Sequence, residues 1–231
     1  MSNLFFDIET IPSQLPGILD EFAAAVTAPG QYKKADSIAE WLRLNRYDEG
    51  EKAWLATSLD GGFGQICVIG CAIGDGPTHA YSVGEDLSAG AERMVLRDFF
   101  DVVADCGAGT RYIGHNVIGF DFRFLWQRAM VLGVKPPFFF PREPKPWSEQ
   151  VFDTMTSWAG SKDRISMDRL CRIFGIPGKG NMDGSKVWQL VQAGKIADVA
   201  EYCRGDVERT RALYRRMTFA DQTEALHVVA Q

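Results

Sequence analysis

The sequence contains few of the residues that build disulfide frameworks or zinc sites, since it has five cysteines and three histidines in 231 residues. The odd number of cysteines and their scattered positions argue against a disulfide framework and favour reduced thiols. Cys67 and Cys71 are four residues apart, but no second pair of cysteine or histidine residues completes a zinc site with them. Buried, reduced thiols are therefore expected at Cys67, Cys71, Cys106, Cys171 and Cys203.

Long apolar runs are also missing. No stretch approaches the length of a membrane-spanning helix, and the N-terminus lacks the basic and apolar regions of a secretory signal. The sequence therefore predicts a soluble, cytoplasmic protein with no membrane partner. Its hydrophobic content of 46% is enough for the core of one large domain, which we expect to span residues 1–231.

The chain has no excess of positive charge, because 25 basic and 30 acidic residues give a formal charge of −5. This balance argues only weakly against a polyanionic partner, since net charge says little about one local groove and bound divalent cations would offset clustered acids. Gly178 and Gly180 do not belong to a G-x-x-x-x-G-K-[ST] sequence, so no nucleotide-binding P-loop is expected.

The order of the predicted elements indicates an α/β fold. Residues 3–9 are typical of a strand, and residues 65–84 of a strand–turn–strand hairpin, because Gly-Asp-Gly-Pro separates two apolar segments. Helices and short strands then alternate, and the C-terminal part is helical. This order predicts a mixed five-stranded sheet flanked by helices, antiparallel in its first half and parallel in its second. Residues 13–59 are too long for a bare loop and are predicted to form a helical insertion after the first strand.

The segment LFFDIET places two carboxylates in a strand that otherwise looks buried. Side chains two apart on a strand point to the same face, so Asp7 and Glu9 project together. Two carboxylates that close repel each other unless a cation lies between them. An exposed edge strand with solvated acids is the alternative, and this segment alone does not decide between them.

Two further segments carry acidic residues in notable positions. In GHNVIGFDFRFL, Asp121 opens a predicted helix, where it could serve only to cap the first turn. In YCRGDVERT, Tyr202 and Asp206 are four apart and share one face of a helix, which could also be an ordinary surface pair. Gly205 within this helix costs on the order of 1 kcal/mol relative to alanine, which suggests that another group approaches the backbone there.

Taken together, these segments resemble the DEDD superfamily of 3′→5′ exonucleases in its tyrosine subgroup. The motifs of that superfamily are D-x-E, N-x-x-x-F-D and Y-x-x-x-D, and the chain has all of them in order at residues 7–9, 116–121 and 202–206. FFDIET and GIPGKGNMDGSKVWQL are most similar to the proofreading domains of family B DNA polymerases and their stand-alone bacterial and phage relatives. The resemblance implies a ribonuclease H-like fold and covers most of the chain outside the insertion.

The resemblance also implies roles for individual residues. Asp7, Glu9, Asp121 and Asp206 are expected to hold two divalent cations, Mg²⁺ or Mn²⁺, which prefer oxygen ligands. Tyr202 is expected to orient the attacking water, because a phenol with a pKa near 10 is a poor base at neutral pH. Substrate contacts are implied for Thr10, Asn116 and Phe120, although Phe120 could instead fill the core behind Asp121. His115 is expected to be a hydrogen-bonded junction residue.

Other segments allow two interpretations each. The loop PPFFFPREPKPW mixes aromatic and cationic residues, so it could stack single-stranded bases or form a hydrophobic cover anchored by Phe138–Phe140. Asp153 could support the site from a neighbouring strand or cap the next segment. A phosphate track ahead of the last motif could be formed by Lys162, Arg164, Lys179 and Lys186, or these could be solvated surface charges.

The function predicted from these observations is a metal-dependent 3′→5′ exonuclease. DNA with single-stranded ends is the preferred substrate, and hydrolysis would release nucleoside 5′-monophosphates. Two alternatives stay open, namely an exoribonuclease and a nucleic-acid-binding or polymerase-accessory module without turnover. A polymerase or a replication or repair protein is a possible partner, and the sequence does not indicate an oligomeric state.

Overall fold

A computed structural model describes residues 2–180 and 182–220. Its strands form one sheet with the order β3-β2-β1-β4-β5. The strands are β1 (Asn3–Ile11), β2 (Gln65–Ile73), β3 (His79–Ser82), β4 (Arg111–Gly114) and β5 (Val151–Asp153). The helices are α1 (Ile18–Ala25), α2 (Ala35–Ala56), α3 (Ala89–Cys106), α4 (Asp121–Leu132), α5 (Thr154–Ala159), α6 (Met167–Phe174), α7 (Val187–Gln192) and α8 (Ile196–Met217).

The sheet is mixed, as the sequence predicts. β1 pairs antiparallel with β2, and β2 pairs antiparallel with β3. On the other side β1 pairs parallel with β4, and β4 pairs parallel with β5. The predicted α/β architecture, with five strands and flanking helices, is therefore confirmed.

β1 lies in the middle of the sheet but has two neighbours over only part of its length. It pairs with β2 from Leu4 to Ile11, whereas its pairing with β4 covers only Asn3, Leu4 and Phe5. The second half of β1 therefore extends past β4 and leaves one side open at the carboxyl end of the parallel strands. This is the region of an α/β sheet where ligands usually bind. A register shift between Glu9 and Thr10 lies in the same half, and such bulges often re-aim side chains next to functional sites.

The two faces of β1 pack against different helices. Phe6 is fully buried against the rings of Phe99, Tyr112 and Phe122, in the core that α3 and α4 cover. Phe5 points to the opposite face, where its ring contacts Tyr214 of α8 at 5.6 Å. Because strand side chains alternate, Asp7 and Glu9 lie on the same face as Phe5 and are directed towards α8.

Two helices lie within the stretch predicted as an insertion. α1 and α2 pack closely, because a Cβ added at Gly50 would lie 2.5 Å from Cα of Ala23. The C-terminal end of α2 returns to the sheet, where the indole of Trp54 donates a hydrogen bond to the carbonyl of Ser13 at 2.8 Å. Trp54 also contacts Trp188 of α7, with 5.7 Å between ring centroids. This region therefore forms one wall beside the end of β1.

β4 ends at Gly114, two residues before Asn116. Asn116 adopts a left-handed conformation with φ of 65°, which ends the extended run. A side chain at Gly114 would collide with Val117, whose Cγ1 would lie 1.9 Å from the added Cβ. The chain therefore turns sharply between β4 and α4.

Within the residues that the structure describes, every helix is either too short or too polar to cross a lipid bilayer.

Candidate active site

Asp7 and Glu9 project from the open half of β1 towards α8. Asp7 is half-buried and Glu9 is 7% exposed. The thiol of Cys203 in α8 lies 3.6 Å from Oδ2 of Asp7 and 3.5 Å from its carbonyl oxygen. Carboxylate oxygens of Asp7 and Glu9 and the sulfur of Cys203 all lie within 4.8 Å of one another. The shared face predicted for the two acids is thus present, and it is a buried face.

Asp121 reaches β1 from the start of α4. Its side chain is buried, and Oδ1 accepts a hydrogen bond from the backbone N–H of Ile8 at 3.2 Å. This contact joins residues 113 positions apart and brings Asp121 beside the backbone between Asp7 and Glu9. The carboxylate therefore binds the backbone of β1, and among the described residues no side-chain hydrogen bond caps α4.

Tyr202 and Asp206 lie one turn apart on α8 and are both buried. Both oxygens of Asp206 are bound by cations: Oδ1 accepts a hydrogen bond from Arg209 at 2.9 Å, and Oδ2 pairs with the ammonium of Lys179. The same ammonium lies 2.9 Å from the hydroxyl of Tyr202. Lys179 therefore links the phenol to the carboxylate.

The guanidinium of Arg209 lies over the backbone at Gly205, so the group that approaches the helix there is a side chain of the same helix. A Cβ at Gly205 would be 2.8 Å from Nη1 of Arg209. The other end of the same guanidinium donates to the carbonyl of Gly178 at 3.1 Å. Arg209 thereby holds the loop before Lys179 against α8.

The pKa values of the acids show how close together they lie. Burial, followed by the charge of Asp206, raises the pKa of Asp7 from 3.8 to about 7, although Lys179 opposes both effects. Burial followed by the charges of Asp7 and Asp206 raises the pKa of Glu9. Burial and the charge of Asp7 raise the pKa of Asp121. Three neighbouring carboxyl groups, those of Asp7, Glu9 and Asp121, thus have raised pKa values, and Asp206 lies close enough to contribute to two of them. Divalent cations stabilise the charged forms of such a group of acids.

The loop between β4 and α4 is held by Asp153. The sequence leaves open whether this residue supports the site or caps the next segment. Its carboxylate accepts hydrogen bonds from the backbone N–H groups of Asn116 at 2.9 Å and Ile118 at 3.0 Å. It also accepts a bond from the N–H of Met155 at 2.9 Å and so caps α5. Asp153 therefore performs both tasks, supporting the loop that carries Asn116 and Asp121.

His115 is a hydrogen-bonded junction residue in the structure. Its Nδ1 lies 2.9 Å from the hydroxyl of Thr154, and its Nε2 lies 3.1 Å from the carbonyl oxygen of Ile165. Burial lowers the pKa of the imidazole. Both ring nitrogens are occupied by protein partners, which leaves neither available as a metal ligand.

The three residues expected to contact substrate have different surroundings. Asn116 lines a cavity of about 740 Å³ that also includes Tyr202, Lys179, Arg164 and Lys186. Thr10 is half-buried, and its hydroxyl donates to the carbonyl of Ser58 at 2.7 Å.

Phe120 packs on Phe124, with 5.4 Å between ring centroids, and against the main core. It thus has the surroundings of a core residue behind Asp121.

Lys179 is the contact that sequence reasoning did not single out. It appears there only in a set of four cations, of which Arg164, Lys179 and Lys186 line the cavity. A local signal existed, because Lys179 stands between two glycines. A Cβ at Gly178 would lie 2.3 Å from Oδ1 of Asp168, and that oxygen accepts the backbone N–H of Lys179 at 3.1 Å. The tight turn thus aims Lys179 at α8.

Comparisons with known proteins identify a family and a fold for this chain. A family model described as a predicted 3′-5′ exonuclease related to the exonuclease domain of PolB matches residues 59–227. This range includes Asp121, Tyr202 and Asp206 but begins after Asp7 and Glu9. No curated protein sequence matches the chain.

The fold is similar to that of the family B DNA polymerase from the hyperthermophilic archaeon Pyrobaculum calidifontis, with a TM-score of 0.57 and 17% sequence identity. The similarity covers 94% of this chain and 24% of that polymerase, so the chain spans about a quarter of the polymerase's length.

Proposed function

Since the chain belongs to the family of predicted 3′-5′ exonucleases related to the exonuclease domain of PolB, we propose that it removes nucleotides from the 3′ end of DNA, prefers single-stranded ends and releases nucleoside 5′-monophosphates. The observation that supports this proposal best is the meeting of Asp7, Glu9, Asp121 and Asp206, which come from a strand and two helices. Burial and the charges of neighbouring acids raise the pKa values of Asp7, Glu9 and Asp121.

The donor set fits two hard divalent cations, Mg²⁺ or Mn²⁺, because it consists mainly of carboxylate oxygens. Asp7, Glu9 and Asp206 would hold one ion, and Asp7 and Asp121 the other. Such ions supply positive charge for the attacking and leaving oxygens and lower the pKa of a bound water. Lys179 and Arg209 do not prevent this, since each oxygen of Asp206 has a second lone pair.

Tyr202 acts as a hydrogen-bond donor in this proposal. Burial, followed by the charges of Asp206, Glu9 and Asp7, raises the pKa of its phenol, so the hydroxyl stays protonated at neutral pH. The ammonium of Lys179 donates to the phenol oxygen, and the phenol also hydrogen-bonds to the carboxylate of Asp206, so the side chain is held beside the proposed metal ligands. Tyr202 therefore orients a reacting group and does not remove its proton.

The cavity beside Tyr202 is the place for the terminal nucleotide. Its volume of about 740 Å³ is large enough for one nucleotide. Asn116 can donate or accept hydrogen bonds at one wall, while Arg164 and Lys186 supply positive charge at another. The sugar end of a strand would lie here, with its last phosphodiester next to the carboxylates.

A degradation assay tests the proposal. Single-stranded DNA labelled at its 5′ end and incubated with Mg²⁺ should give a ladder of products shortened from the 3′ end, and a chelator should stop the reaction. RNA of the same sequence, tested in parallel, should be degraded more slowly. Circular single-stranded DNA is the matched control and should stay intact. Immediate release of the labelled nucleotide would show degradation from the 5′ end and would refute the proposed polarity. Cutting of the circle would show that the protein does not need a strand end and would refute the exonuclease proposal.

A double-mutant cycle tests the link between Lys179 and Tyr202. Tyr202→Phe and Lys179→Met should each lower kcat by roughly 10- to 100-fold, the effect of losing one charge-assisted hydrogen bond. The double variant should be little slower than the slower single variant, because the ammonium acts by orienting the phenol. Calorimetric titration with Mn²⁺ should show unchanged affinity for Tyr202→Phe. Losses that multiply in the double variant would show that the two side chains act independently.

A further inference from the structure

A groove of about 520 Å³ lies along the outer face of α4, and the proposed chemistry does not use it. Phe122, Arg123, Trp126 and Met130 of α4 form one wall, and the loop after the helix forms the other. The distance along the helix from residue 122 to residue 130 is about 12 Å, which is long enough for a short segment of single strand.

The groove begins next to the candidate active site. Arg123 follows Asp121 by two residues, and Ile118 of the preceding loop lines the groove's near end. Asn116, two residues before Ile118, lines the cavity assigned to the terminal nucleotide. The segment from Asn116 to Asp121 therefore contributes residues to the linings of both cavities, Asn116 to one and Ile118 to the other.

Positive charge is concentrated in this groove even though the chain as a whole is acidic. Arg123, Arg142 and Lys145 line it and are exposed, against one carboxylate, that of Glu143. Within residues 2–180 and 182–220, none of these three cations takes part in an ion pair. Three unpaired cations in one groove are complementary to the phosphates of a nucleic acid.

Aromatic residues lie in the same loop, and the structure separates them into two groups. Phe140 is buried in the main core and anchors the loop, whereas Phe138 is 92% exposed and Trp147 is 80% exposed. The indole of Trp126 donates to the carbonyl of Pro141 at 2.8 Å, and Arg142 lies over its ring. The loop is therefore fixed in place while Trp147, next to Pro146 at the groove's rim, presents an open ring to solvent.

We propose that this groove, lined by Arg123, Arg142 and Lys145 with Trp147 at its rim, binds the single-stranded part of the substrate upstream of the scissile bond. The proposal rests on the exonuclease function proposed above. Unpaired bases, and not a duplex, are the occupant because an exposed indole can stack only on a base whose face is free. The three cations contact the phosphates of the same strand.

Binding measurements test the groove directly. The variants are Arg123→Ala/Arg142→Ala/Lys145→Ala and, separately, Trp147→Ala, with Ca²⁺ replacing Mg²⁺ to hold the substrate intact. Fluorescence anisotropy with a single strand of about 16 nucleotides should show Kd raised about tenfold or more by either variant. For the triple variant, the slope of log K against log salt should become shallower by about 2, as expected for three lost phosphate contacts. Binding of a dinucleotide should not change.

A matched control removes the same amount of positive charge elsewhere. Lys33→Ala/Lys34→Ala/Arg46→Ala changes exposed residues in and beside α2 and should leave the affinity for the long strand unchanged. An equal loss of affinity in this control would show an effect of net charge and would overturn the proposal. Unchanged affinity of the groove variants for the long strand would also overturn the proposal. That result is expected if the groove binds a protein and not a nucleic acid.

Hydrolysis of a small ester separates this inference from the proposed function. The p-nitrophenyl ester of thymidine 5′-monophosphate reaches only the carboxylate site, so the wild-type protein and the triple variant should hydrolyse it equally, while KM for the long strand rises in the variant. No ester hydrolysis or strand degradation by the wild-type protein would refute the exonuclease function. Hydrolysis by the wild type with loss in the triple variant would refute the groove assignment, because the change would then act on the catalytic site itself.

Discussion

Asp206→Asn is expected to lower the rate of 3′-end degradation by about 10³-fold or more. The carboxylate of Asp206 lies where α8 meets β1, and its charge contributes to the raised pKa values of Asp7 and Glu9. Asparagine keeps the shape but supplies one neutral oxygen, which is a weak ligand for Mg²⁺. The rate of shortening of a 5′-labelled strand measures the loss.

The main complication is that Asp206→Asn also leaves Lys179 and Arg209 without their carboxylate partner. Circular dichroism during thermal unfolding will show whether the variant is folded. Asp121→Asn provides a second test, since its amide oxygen can still accept the N–H of Ile8, and the same loss of rate is expected. Glu201→Gln, an exposed acid on the same helix, is the matched control and should degrade DNA normally. Full activity in both asparagine variants would contradict the assigned site.

The second large effect concerns stability without metal ions. The pKa of Asp7 is raised from 3.8 to about 7 in the folded protein, and those of Glu9 and Asp121 are raised as well. A folded-state pKa above the unfolded value means that the folded protein binds more protons, so the free energy of unfolding falls as pH rises from about 4 to about 7. Asp7 alone corresponds to up to about 4 kcal/mol.

Chemical denaturation in the presence of a chelator measures this effect. The wild-type protein should be less stable at about pH 8 than at about pH 5, and Mn²⁺ should restore stability at the higher pH. Asp7→Asn should be the more stable protein at about pH 8 without metal, and Mn²⁺ should stabilise it much less. Equal stability of the wild-type protein at both pH values would show that the pKa values of these acids are not raised in the folded protein.

Local periodicity explains why much of the site could be predicted from the sequence. Alternation along β1 puts Asp7 and Glu9 on one face, and the four-residue spacing of Tyr202 and Asp206 puts them on one side of α8. These rules depend only on backbone geometry. They correctly place each pair, and the sheet's mixed topology follows from the order of elements.

Other features depend on contacts between distant residues, for which no local pattern exists. Nothing near Arg209 in the chain indicates that it covers Gly205 and reaches the carbonyl of Gly178. Likewise, Phe138 and Phe140 are two residues apart and chemically identical, yet one is exposed and the other buried. Their difference depends on where the loop meets α3 and α4, which only tertiary packing determines.

The central position of β1 has a consequence for how the site can come apart. Asp7 and Glu9 lie on the half of β1 that pairs with β2 alone, but β1 is the middle strand of five, so moving both acids out of the site requires breaking backbone pairs within the sheet. Lys179 instead belongs to the connection between α6 and α7, which is tied down by a few contacts such as those of Asp168 and Arg209. Local opening of that connection would break the contacts of the ammonium with Asp206 and Tyr202 but leave the sheet intact, so it would cost less free energy than global unfolding and would withdraw the ammonium while the acids stay assembled. The acids therefore stay together until the protein unfolds, whereas Lys179 can leave the site by local opening.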